Sequence, residues 1–71
     1  MMQKTIIHGF SVSYEDNARE GVHYLESDLD LNEAKVFFNQ AREHGSAQFE
    51  DDENHQFTIA YQNGAYTLIR R

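Results

Sequence analysis

With 71 residues, no cysteine and no proline, the chain has room for one domain spanning residues 1–71, and no disulfide or thiolate metal site can staple it. Twelve Asp and Glu against six Lys and Arg give a formal charge of −6; this argues against direct nucleic-acid binding, which runs on Lys and Arg, and favours a basic partner if there is one. No apolar run approaches the ~20 residues needed to cross a bilayer and no leader resembles a signal peptide, so a cytoplasmic protein without membrane contact is expected.

From Lys4 to Tyr14 the even positions are Ile6, His8, Phe10, Val12 and Tyr14. Alternation over this length predicts one half-buried strand with the even face inward and Gly9 at a bulge or close approach. Glu15 to Gly21 is polar, ends in Gly and reads as a loop. Val22-His23-Tyr24-Leu25-Glu26 reads as a short second strand, antiparallel to the first, with Val12 facing Tyr24.

The clearest helix follows. Asp30 and Glu33 have capping-box spacing: Asp30 can accept from the free N–H groups of the first turn while Glu33 reaches back to the cap. Leu31, Ala34, Phe37, Phe38 and Ala41 form a helical stripe. Arg42 and His44 suit the negative end of the helix, and Gly45 suits a left-handed C-cap.

Ala47 to Asp51 reads as the next strand, with a polar turn at Asp51 to Asn54; a three-residue loop over 52–54 sets Phe49 opposite Phe57. Asn63-Gly64 between runs of β-branched and aromatic residues is the strongest short-range hairpin signal, because a type I′ turn needs positive φ at both central residues. That turn places Gln62 opposite Ala65, Tyr61 opposite Tyr66 and Ile59 opposite Leu68. One face of the resulting meander carries Ala47, Phe49, Phe57, Ile59, Tyr61, Tyr66 and Leu68, enough to cover one side of the helix.

The expected fold is α+β, in two layers: an antiparallel sheet of four to five strands with one helix on one face, in the order ββαβββ. Five Phe and four Tyr must carry its core. A chain this short nets ~3–5 kcal/mol of stability. The opposite sheet face is expected to hold Ile7, Ser11, Ser13, Gln48, Thr58, Ala60, Thr67 and Ile69. Antiparallel sheets tolerate one wet face. The alternative is a homodimer or protein-binding face centred on Ile7, Ala60 and Ile69.

Motifs for chemistry are missing. The glycines stand apart at 9, 21, 45 and 64, so there is no phosphate loop, and there is neither a G-x-S-x-G elbow nor a cysteine nucleophile. No two of His8, His23, His44 and His55 have metal-ligand spacing on one element. Asp28-Leu29-Asp30-Leu31-Asn32-Glu33 resembles the start of a calcium loop but has Glu33 where Gly is required and Asn39 where Glu is required; helix capping explains it better. No catalytic residue, cofactor or metal is therefore expected.

Glu50-Asp51-Asp52-Glu53 is the densest charge run. The plain reading is a solvated turn; the functional one is a contact for a Lys/Arg patch on a partner. Three functions follow. The leading one is a non-enzymatic protein-interaction module that binds through 50–53 or through the outer sheet face, with a homodimer as one form. The second is an acidic decoy that imitates DNA in the groove of a nucleic-acid-binding protein or nuclease. The third is a small enzyme using a His and a carboxylate, for example His23 with Glu26.

Overall fold

The computed structural model describes residues 2–71. Its fold is α+β, a five-stranded sheet with its helices on one face. The strands are β1 (Gln3–Ile7), β2 (Phe10–Tyr14), β3 (Ser46–Glu50), β4 (Gln56–Gln62) and β5 (Ala65–Arg70). The sheet order is β1-β2-β5-β4-β3. All neighbours are antiparallel except β2 and β5, which run parallel with Val12 beside Tyr66 and Tyr14 beside Leu68. The sheet is therefore mixed, not wholly antiparallel.

The Asn-Gly turn is where the sequence places it. Asn63 and Gly64 have φ of 54° and 82°, and Gln62–Ala65, Tyr61–Tyr66 and Ile59–Leu68 are opposed. Phe49 opposes Phe57 across the β3–β4 hairpin. There the backbone N–H of Asp51 donates to the His55 carbonyl at 3.0 Å, and Asn54 takes a φ of 66°. A left-handed third residue is what a three-residue hairpin loop requires.

The stretch 4–14 is not one strand. It folds back at His8 and Gly9, whose φ values are 49° and 89°, so Ile7 opposes Phe10. A two-residue turn switches parity, so the odd residues of β1 and the even residues of β2 face inward. Ile7 is consequently fully buried, and Ile6 is the isoleucine on the open face, at 67% exposure. His8 is satisfied at the turn: its Nε2 contacts the carbonyl oxygens of Leu25 at 3.0 Å and Leu29 at 3.2 Å. Both partners only accept, so Nε2 carries the proton.

The segment read as a loop and a second strand is helical. A 3₁₀ turn (Asp16–Ala18) leads into α1 (Arg19–His23), which widens into a π turn over Tyr24–Asp28. Ala18, Gly21 and Leu25 face the sheet and are buried. Gly21 permits the approach: a Cβ there would stand 2.9 Å from Cδ1 of Phe57.

The second helix, α2 (Leu31–His44), starts at the expected capping box. The Glu33 N–H donates to Asp30 Oδ1 at 2.9 Å, and the Asp30 N–H donates to Glu33 Oε1 at 3.1 Å. It ends at Gly45 with φ 92°. Ala34, Phe38 and Ala41 are buried and Phe37 is half-buried, whereas Leu31 at the helix start is exposed.

One core joins both helices to the sheet. Phe38 stacks on Phe10 at 4.2 Å and meets Tyr66 edge-on at 4.9 Å. Phe49 is surrounded by Phe57 and Phe37, each at 5.3 Å, and Tyr24 at 6.0 Å. Removing one such ring costs about 3–5 kcal/mol, as much as a domain of this size is expected to hold in net stability. No helix among the described residues is long and apolar enough to cross a membrane.

Candidate functional site

An open cleft of about 360 Å³ lies between α1 and the β3–β4 turn. One wall is helical: Arg19, Glu20, His23, Tyr24 and Asp28. The other is the turn: Asp51, Asp52 and Glu53. Carboxylates from two elements far apart in sequence thus line one concavity, with a phenol ring between them.

The turn wall is built by Asp51. Its Oδ1 accepts the backbone N–H groups of Glu53 at 3.0 Å and His55 at 2.8 Å. Its Oδ2 lies 2.9 Å from Nδ1 of His55. A carboxylate only accepts, so Nδ1 carries the proton. The Asp51 side chain is 7% exposed. Burial pushes its pKa up, but hydrogen bonds from the His55 side chain and from the His55 and Glu53 backbones, with the His55 charge, outweigh burial and leave it below the usual carboxylate range. Asp51 therefore organises the turn, while Asp52 and Glu53 remain exposed.

Tyr24 joins the two walls. Its ring rests on Phe49, which anchors the cleft to the core. Its phenol pKa is raised, first by burial and then by the carboxylates of Asp52, Glu33, Asp28 and Asp51. The hydroxyl therefore sits in a negative field that reaches it from both walls.

Of the residues singled out from the sequence, Asp51, Asp52 and Glu53 line the cleft, and Glu50 is exposed at the end of β3 just before it. Ile7 is displaced from the open face into the core by the His8-Gly9 turn. Ala60, half-buried between Thr67 and Ser46, and Ile69, 43% exposed, do lie on that open face. Neither lines the cleft. His23 lies in the cleft wall on α1 rather than on a strand. The close His–carboxylate pair is His55 with Asp51, whose oxygens are engaged within their own turn. Among the described residues no three His, Asp or Glu side chains are grouped to hold a metal ion. Reading Arg19, Glu20, His23, Tyr24 and Asp28 as one wall requires the helix, whose signal is the spacing of Ala18, Gly21, Val22 and Leu25.

Comparisons with protein-family models, with curated proteins and with solved structures give no match to this chain.

Proposed function

We propose that this chain is a non-enzymatic interaction module that receives a cationic segment of a partner protein in the cleft between α1 and the β3–β4 turn. The observation that carries the reading is the gathering of Glu20, Asp28, Asp52 and Glu53 around one concavity, with the Tyr24 ring in its wall and Arg19 the one Lys or Arg among its lining residues. A guanidinium or ammonium group gains there from nearby carboxylates and from an aromatic face. The concave arrangement favours this over the DNA-decoy reading, since a decoy must present its carboxylates outward to fill a groove. The carboxylates are spread over two walls, which suits an extended side chain better than a point ion.

The test is calorimetric titration with an Arg-rich peptide, a Lys-rich peptide and a neutral control. Binding of the cationic peptides is expected at low salt, weakening toward 0.15 M NaCl as the ~8 Å Debye length shortens the reach of the cleft. Asp52→Asn with Glu53→Gln should reduce affinity about tenfold or more, the ~1.4 kcal/mol equivalent of losing two partly exposed charge contacts. Equal binding by the double variant would remove the cleft from the interaction.

A further inference from the structure

The sheet has two edges, and they differ. The edge strand β3 ends at exposed Glu50 and runs straight into Asp51, Asp52 and Glu53. Pairing that edge with a second copy would bring two carboxylate turns together, and like charges resist it. The other edge, β1, carries one charged residue, Lys4, and Ile6, the most exposed large apolar residue among the described residues. It holds no proline, and Lys4 is its one side chain of the charged kind that keeps edges apart.

Its register shows which groups are free. In a two-residue hairpin the residues flanking the turn exchange both hydrogen bonds, and the bonded pairs then alternate. Ile7 opposes Phe10 and Thr5 opposes Val12, so Ile7 and Thr5 bond to β2. The N–H and C=O groups of Lys4 and Ile6 therefore point out of the sheet.

We propose that β1 pairs antiparallel with β1 of a second copy across a two-fold axis at Thr5, joining the two sheets into one. In this register Lys4 faces Ile6 of the second copy, and the outward groups of both strands bond to each other. It overlaps the whole of β1, and it sets each lysine beside an isoleucine instead of another lysine. The carboxylate turns stay apart, because β2, β5 and β4 lie between β1 and the turn. At ~4.8 Å per strand that is roughly 15–20 Å within one copy, already beyond the ~8 Å Debye length. The contact does not depend on the cleft. A single strand pair buries less than the ~800 Å² per partner of a standard interface, so weak association is expected, on the order of 0.1–1 mM.

Sedimentation equilibrium of the full chain from about 10 µM to about 2 mM tests this range. The expected result is a mass rising toward twice the monomer. Ile6→Pro removes an outward N–H without touching the β1–β2 bonds and should hold the protein monomeric with an unchanged circular dichroism spectrum. Should that variant not fold, Ile6→Lys leaves the backbone intact: it sets two lysines against each other and should abolish the dimer. Adding Lys4→Glu to Ile6→Lys turns that clash into an ion pair and should restore it. A monomer at every concentration overturns the proposal. So does a dimer that survives Ile6→Lys and is lost on Ile69→Lys, which would place the contact on the open sheet face.

Discussion

Asp51 shows how one side chain can be taken for a surface charge and be a structural part. In the sequence it is one of four adjacent acids. In the fold its two oxygens accept from Glu53, from the His55 backbone and from the His55 ring. Because its folded pKa lies below the unfolded value of ~3.9, it contributes stability above that value and loses the contribution as pH falls through the folded one. Asp51→Asn should therefore lower the urea midpoint at pH 7, and the gap between wild type and variant should close toward pH 3. A gap that is the same at both pH values would show that the carboxylate charge contributes nothing. The exposed neighbours Asp52 and Glu53 have no such role in the turn, which leaves them available to a ligand.

At the scale of the elements, α1 is held to the sheet by the absence of a side chain. Alanine is favoured over glycine in a helix by about 1 kcal/mol. At Gly21 the added methyl would meet Phe57 at 2.9–3.1 Å, and Phe57 is fully buried and cannot move aside. Overpacking of this kind costs about 1–3 kcal/mol. Gly21→Ala is thus expected to destabilise by about 1 kcal/mol net, a fall in Tm of roughly 4–8 °C for a domain of this size. A rise in Tm would show that helix propensity wins. The same residue explains what the sequence concealed. The capping box at Asp30, the Gly45 C-cap and the Asn63-Gly64 turn were legible because each is local chemistry completed within a few residues. Gly21 reads locally as a loop end; its reason is a strand more than thirty residues further on. The His8-Gly9 turn was hidden differently. Ile6 and Ile7 are adjacent, so either parity gives a plausible inward face, and alternation continues through the turn without a break. Histidine tolerates positive φ less famously than asparagine, though it shares the tendency. One wall of the cleft, at 51–53, was legible as a charge run, but the other could not be seen until α1 was.

At the scale of the molecule, twelve acids and six bases share 71 residues, and carboxylates crowd the cleft end. Self-repulsion of this kind opposes the compact state and is relieved by salt. Raising NaCl from about 10 mM to about 200 mM should raise Tm by a few degrees as the Debye length falls from ~30 Å to below ~10 Å. A falling Tm would mean that attractive ion pairs outweigh repulsion across the surface. The same screening weakens capture of a cationic peptide, so stability and affinity should move in opposite directions with salt.

The parallel seam between β2 and β5 has a consequence for the order of assembly. β5 is the last in sequence of the five described strands, yet it stands at the centre of the sheet. Without β5, the sheet is an early β-ribbon and a late one with no strand joining them. The seam that joins them closes over some fifty intervening residues, a slow, non-local step. Until it closes, the flanks of β2 and β4 that β5 will occupy stay open to any other extended segment, so the sheet is completed only when β5 docks between them.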